Sequence, residues 1–277
     1  MVQRQEQLAT CDPVWAAIRD EAMTVEAREP GLAGLLHANI LNHGRFECAL
    51  AHTLSQKLGS EELSPLQIRD ITEEAMEDDA AIGEAARADL SAFLDRDPAC
   101  HDMMTPFLYY KGFHALQAHR IAHWLWTAGR TSLAYYMQHR NSVEFGVDAH
   151  PAARIGKGIM IDHATGIVIG ETAVIENNVS MLHGVTLGGT GKVDGDRHPK
   201  IREGALISVG AQVLGNVEVG ARARVGAGSV VLINVPAECT AAGVPAKIVG
   251  CAGSKQPARE MRHEWLDKDE HADGSGI

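Results

Sequence analysis

The stretch from Ile155 to Val231, IGKGIMIDHATGIVIGETAVIENNVSMLHGVTLGGTGKVDGDRHPKIREGALISVGAQVLGNVEVGARARVGAGSVV, is built on a period of six. Ile155, Ile161, Ile167, Ala173, Val179 and Val185 stand six apart, and Ile201, Ile207, Val213, Val219, Val225 and Val231 take up the count again after a gap. All but the alanine are β-branched, and glycine or a small residue often follows. A six-residue unit is too short for a hairpin or a helix, so each unit must be a short strand and a tight turn in a coil that stacks on itself. The aliphatic position points inward, where β-branched side chains pack well, and strand hydrogen bonds run between successive turns. From Val185 the next inward residue falls due at 191 but arrives at Ile201. The ten residues GKVDGDRHPK, from Gly191 to Lys200, are therefore expected to project as a loop, where chemistry concentrates on rigid scaffolds.

Ahead of the coil, to about Glu144, the chain is rich in Ala, Leu, Glu, Gln and Arg, with apolar residues three and four apart, which is a helical pattern. Ser64-Pro65-Leu66-Gln67 reads as an N-cap, a proline at the first helical position and a capping-box glutamine, with Ile68, Ile71 and Ala75 forming one apolar face. A second helix is expected from Thr105-Pro106 to a C-cap at Gly129, and a third from Ser132 to about Glu144. Tyr109, Tyr110, Phe113, Trp124 and Trp126 are read as core aromatics rather than a base-stacking platform. The fold class is thus α+β. Residues 1–146 form an all-α region, 147–250 the coil, and 251–277 a polar, aperiodic segment with the profile of a mobile tail.

A formal net charge of −11 disfavours nucleic acid, whose affinity comes from Lys and Arg neutralising phosphates. The five cysteines, Cys11, Cys48, Cys100, Cys239 and Cys251, form no ladder of closely spaced pairs and are expected to be reduced thiols. The N-terminal residues show no apolar signal region, and no stretch of about 20 apolar residues occurs, so a cytoplasmic chain without a membrane span is expected. GGTGK, Gly188 to Lys192, does not meet the spacing of a nucleotide phosphate loop, and no helical pattern follows it.

The coil resembles the left-handed parallel β-helix of hexapeptide-repeat acyltransferases. VDAHPAARIGKGIMIDHATGIVIGETAVIE (Val147 to Glu176), VTLGGTGK (Val185 to Lys192) and DRHPKI (Asp196 to Ile201) narrow the likeness to the serine acetyltransferases of bacteria and plants. RDPA at Arg96, TPFLYYKGFHALQAHRIAHWLW at Thr105 and AAGVPAKIVG at Ala241 extend it over nearly the whole chain.

That resemblance implies acetyl transfer from acetyl-CoA, as co-substrate, to the hydroxyl of L-serine, the first step toward cysteine. Such a reaction needs a base, because a serine hydroxyl is a poor nucleophile at neutral pH. By resemblance the base is His163, Asp148 orients it, and His198 contacts the reacting serine and stabilises the tetrahedral oxyanion. Arg197 would take the serine carboxylate, and Asp97 and Asp162 its ammonium. Gly189, Thr190, Gly210 and Ala227 would line the pantetheine arm, with Arg224 near the CoA phosphates. Leu206 and Val209 stand where some relatives carry Met and Ala. No cysteine lies in these motifs, so attack within a ternary complex is expected rather than an acyl-enzyme.

The resemblance also implies a homohexamer made of two trimers joined by the helical region, inhibition by L-cysteine at the serine site, and docking of the terminal Ile277 in O-acetylserine sulfhydrylase. Two rival readings share the scaffold: an acyltransferase for a sugar or amine, and a zinc enzyme with His163, His183 and His198 as ligands. No resident metal is expected.

Overall fold

A computed structural model describes residues 12–191, 194–251 and 255–261. The helical region comprises α1 (Pro13–Arg28), α2 (Ala33–Leu36), α3 (Phe46–Leu58), α4 (Pro65–Asp78), α5 (Ala80–Arg96), α6 (Met104–Tyr109), α7 (Lys111–Thr127) and α8 (Thr131–Phe145). The capping box of α4 forms as expected, with Ser64 and Gln67 satisfying each other's backbone N–H groups. The helix expected over 105–129 is instead two: Tyr110, at φ −81° and ψ 108°, is extended and separates α6 from α7. Thr105 N–H is held by Asp102 at 2.6 Å, so the first of them is capped from Asp102 rather than from Thr105. Phe113 is fully buried, as expected of a core aromatic, whereas Tyr109 is exposed.

Gly146 ends α8 in the left-handed conformation, φ 72°, and Val147 opens the first strand. From there the chain is a parallel β-solenoid with three faces. One face stacks β1 (Val147–Ala149), β4 (Ile167–Ile169), β7 (Thr186–Gly188), β10 (Gln212–Leu214) and β13 (Val230–Val231). A second stacks β2 (Arg154–Ile155), β5 (Val174–Ile175), β8 (Lys200–Ile201) and β11 (Glu218–Val219). The third stacks β3 (Met160–Ile161), β6 (Ser180–Met181), β9 (Leu206–Ile207), β12 (Arg224–Val225) and β14 (Thr240–Gly243), and closes with β15 (Ala246–Gly250) running antiparallel to β14.

The register corrects the sixfold count in two places. Val168 pairs with Thr186, 18 residues on, but Met160 pairs with Ser180, 20 on. The turn Asp162–Gly166 therefore holds two more residues than its counterpart at Leu182–Gly184. The sequence count survived this slip because each strand buries two alternate positions, so Ile167, Ala173, Val179 and Val185 are interior although they sit two places before Ile169, Ile175, Met181 and Leu187. Val174 pairs with Lys200, 26 on, whereas Lys200 pairs with Glu218, 18 on, so the extruded loop adds eight residues and not ten.

The helical region is tied to the solenoid by Asp89 of α5, which is fully buried. It accepts from Arg120 at 2.7 Å, Gln117 at 3.0 Å and the Ile159 backbone N–H at 2.9 Å, so one carboxylate joins α5, α7 and the coil. Two expectations fail toward the C-terminus. Cys239 and Cys251 are joined by a disulfide rather than reduced, because β14 and β15 fold back on each other and bring them together. The segment read as an unstructured tail contains a helical turn, α9 (Pro257–Glu260), held by Arg259 to Asp95 at 2.8 Å and by Ser180 Oγ donating to the Ala258 carbonyl at 2.8 Å. Ile277 and Cys11 lie outside the described residues.

Candidate active site

The enlarged turn between β3 and β4 carries Asp162 and His163. Its two extra residues are accommodated by placing His163 and Ala164 in left-handed conformations, φ 57° and 60°, which non-glycine residues rarely adopt and which cluster at functional sites. Lys111, at the start of α7, holds Thr165 Oγ1 from behind. The His163 side chain is thereby turned outward, 72% exposed, with Nε2 3.5 Å from Asp162 Oδ2. Its ring packs edge-on to His183 of the next coil, centroids 5.6 Å apart. Asp148 does not touch it in this chain; Gln138 Nε2 donates to Asp148 Oδ1 at 2.6 Å. Asp162 and Asp97 share one cleft of about 660 Å³, which Arg96, His101 and Met160 also line and Arg259 and Met261 border. Tyr110 is pushed up to about 12 by burial and then by Asp97, its hydrogen-bond partner.

Along the same corner, below His163, runs a column of left-handed glycines: Gly166, Gly184, Gly210 and Gly228, φ 79°, 69°, 67° and 62°. Only glycine takes this conformation without strain, and the absence of Cβ atoms leaves the backbone bare along this corner, where Gly210 and the exposed Ala227 lie. Arg224 lies on the adjoining face and bonds Thr240 Oγ1 at 3.1 Å.

The second cluster occupies the far edge of the same sheet, where the extruded loop leaves β7. The residues DRHPK do not project; they are strapped down. Lys200 Nζ donates to Asp196 Oδ1 at 2.6 Å, the His198 carbonyl at 2.7 Å and the Thr172 carbonyl at 2.9 Å. Thr172 Oγ1 accepts the N–H groups of Arg197 at 3.0 Å and His198 at 3.1 Å. His198 is consequently buried, 7% exposed, its ring laid against Gly170 and near Gly189. Burial, and then the neighbouring Arg197, depress its pKa, which favours the neutral ring. Arg197 donates to Glu171 Oε2 at 2.6 Å, which holds the Glu171 carboxyl below the usual range. Thr190 lies against Gly215 on this edge.

The expected site residues therefore fall into two groups. Asp97, Asp162, His163, Gly210 and Ala227 mark one edge, and Gly189, Thr190, Arg197 and His198 the other. The strand between spans roughly 10 Å at about 3.3 Å per residue, before the corner turns are counted. His198 is thus not with His163 and His183 within one chain. Sequence reasoning missed Gly170, Glu171 and Thr172; the signal was GET within the recognised stretch, a glycine beside two polar residues just after an inward isoleucine.

The model of the N-terminal region of serine acetyltransferases matches residues 14–118, and that of the bacterial transferase hexapeptide matches 198–232. The serine acetyltransferase of Salmonella typhimurium is 54% identical over 261 residues, 94% of this chain and 93% of that protein. Among solved structures, a Brucella abortus serine acetyltransferase in complex with coenzyme A is 51% identical, with TM-score 0.87, covering 89% of this chain and 98% of that one. A serine acetyltransferase in complex with cysteine is 52% identical, TM-score 0.90, with 91% and 98% covered. The soybean enzyme complexed with serine is 53% identical, TM-score 0.83, with 85% and 97% covered. A helical region, a solenoid with one enlarged turn and one extruded loop, and this likeness over the length of both chains have a single reading: the chain belongs to the serine acetyltransferase family.

Proposed function

We propose that this chain transfers acetyl from acetyl-CoA to L-serine at a site assembled from two copies of itself. The observation that carries the shared site is the division of its residues between opposite edges of one sheet. A neighbouring copy packed on that face brings the His163 edge of one chain against the His198 edge of the next. A threefold arrangement closes this contact, and pairing of two trimers through the helical region gives a hexamer.

In that site Asp97 and Asp162 receive the serine ammonium and Arg197 its carboxylate. The acyl-pantetheine arm lies along the Gly210 and Ala227 corner of one copy and past Gly189 and Thr190 of the other, with Arg224 toward the CoA phosphates. His163 takes the proton from the serine hydroxyl as its oxygen attacks the thioester carbonyl. The tetrahedral oxyanion accepts a hydrogen bond from His198. Collapse breaks the carbon–sulfur bond, and the imidazolium of His163 returns its proton to the departing thiolate, leaving O-acetyl-L-serine and CoA. Asp148 is retained as the carboxylate that orients His163 in the assembled site.

Cysteine shares the ammonium and carboxylate of serine and so competes for the same groups, in keeping with the relative solved with cysteine. The proposal extends to the divisions at 146 and 250, to a cytoplasmic location and to docking of Ile277 in O-acetylserine sulfhydrylase. Among the described residues no helix is long and apolar enough to cross a membrane.

The test is thiol release from acetyl-CoA with L-serine, in wild type, in His163→Ala, in His198→Ala and in co-assembled mixtures of the two variants. Each variant alone should lose at least about a hundredfold. Mixtures should regain activity, because some interfaces then pair an intact His163 edge with an intact His198 edge. Mixtures as inactive as the parents would refute the shared site, and wild-type activity only with a non-serine acceptor would refute the substrate.

A further inference from the structure

We infer that Thr172 is a positioning residue that fixes His198 as the neutral imidazole with its proton on Nε2, an assignment of role that rests on the acetyl-transfer reading above. The geometry at Nδ1 is decisive. The Thr172 backbone N–H can only donate, and it points at His198 Nδ1 from 3.1 Å. Thr172 Oγ1 lies 2.9 Å from the same nitrogen. Since that oxygen already accepts two backbone N–H groups, its single hydrogen is left to be shared between Nδ1 and the Asp196 carboxylate, which also engages the Thr172 side chain. A nitrogen facing a backbone N–H, which can only donate, must present its lone pair, so the ring proton resides on Nε2.

The other end of the ring is arranged to match. Nε2 lies over two residues without side chains: a Cβ built on Gly170 would stand 2.1 Å from it, and one on Gly189 3.6 Å. Among the described residues nothing takes its proton. The charged and titratable groups facing the ring are Arg197, Glu171, Lys200 and His150, on the loop, on the strand connection beside it and on the coil below. An imidazolium would set its Nδ1–H against the Thr172 backbone N–H beside the Arg197 cation. Burial and Arg197 depress the pKa in the same sense.

The consequence for chemistry is a division of labour between the two histidines. His198 keeps its proton throughout and lends an Nε2–H hydrogen bond to the oxyanion, while the proton of the serine hydroxyl travels only through His163. Thr172 touches neither substrate; it acts through His198 and through the backbone of Arg197.

The experiment reads the imidazole directly. In uniformly ¹⁵N-histidine-labelled protein, with His198 assigned by difference from His198→Gln, long-range proton–nitrogen correlations should show Nδ1 unprotonated and Nε2 protonated from about pH 5.5 to 8, without titration. Thr172→Val, which removes the hydroxyl but keeps the volume, should mix the tautomers, bring titration into that range and lower kcat about ten- to a hundredfold. Thr172→Ser, which restores the hydroxyl, should return both the spectrum and kcat to within about threefold. A wild-type ring protonated on Nδ1, or a Thr172→Val protein with unchanged spectrum and rate, would overturn the inference. Nε2-protonated His198 in a protein without serine-dependent turnover would uphold the tautomer and Thr172's hold on it while sinking the reaction assigned above.

Discussion

Gly170→Ala isolates the contact that seats His198. An alanine Cβ at this position would lie 2.0 Å from His198 Cδ2 and 2.1 Å from Nε2, whereas non-bonded carbons settle at about 3.5–4.0 Å. The imidazole must therefore retreat by roughly 1.5 Å or the strand end must move. The backbone itself accepts alanine, because Gly170 is not in the left-handed region, so the effect is steric. Retreat pulls Nδ1 from the Thr172 backbone N–H and carries Nε2 away from where the oxyanion forms. A 1 Å misplacement costs about a hundredfold, so kcat/KM should fall about 10² to 10³, or about 2.7–4 kcal/mol of transition-state stabilisation. Overpacking should cost about 1–3 kcal/mol of stability, small enough to leave the protein folded. Thiol release with L-serine, beside thermal unfolding, separates the two effects. Gly34→Ala, where an added Cβ meets nothing within 4 Å, should leave kcat/KM unchanged. A folded Gly170→Ala protein with wild-type kinetics would refute both the seating of His198 and its place in catalysis.

Asp89→Ala should destabilise the fold by about 3–5 kcal/mol in urea unfolding, because it strands the buried Arg120 guanidinium and the Ile159 N–H; a loss below about 1 kcal/mol would show that the carboxylate does not tie the helices to the coil. His114 and His119 are fully buried and neutral, pushed down to about 3 by burial from 6.5 in the unfolded chain. The unfolded state then binds more protons below pH 6.5, so stability is full above that pH and declines toward pH 3 by up to about 1.4 kcal/mol per unit for each histidine. His119→Gln should flatten this slope in urea titrations between about pH 7.5 and 5, and an unchanged slope would mean that His119 does not contribute. Arg197→Lys should raise KM for serine about tenfold or more, since an ammonium cannot serve Glu171 and a substrate carboxylate with the same two-pronged geometry. An unaltered KM would assign the carboxylate to another cation.

The solenoid was legible in the sequence because its inward positions alternate at short range, and burial of β-branched residues every few positions leaves a pattern that needs no partner to be seen. The capping box at Ser64 was legible for the same reason, being a contact across three residues. The two-residue excess at Asp162–Gly166 was hidden, since both alternate positions of each strand are buried and a slip of two exchanges one interior residue for another. The candidate site residues were named by the motifs around His163 and His198. Their separation on two edges, the seating of His198 on Gly170, the Thr172 N–H at Nδ1, the Asp89 tie and the Cys239–Cys251 bond were decided only by the tertiary structure. Each joins residues brought together by coil register or domain packing, so no periodicity along the chain records it; the sequence names the chemical groups, and the stacking of the coils determines which of them meet.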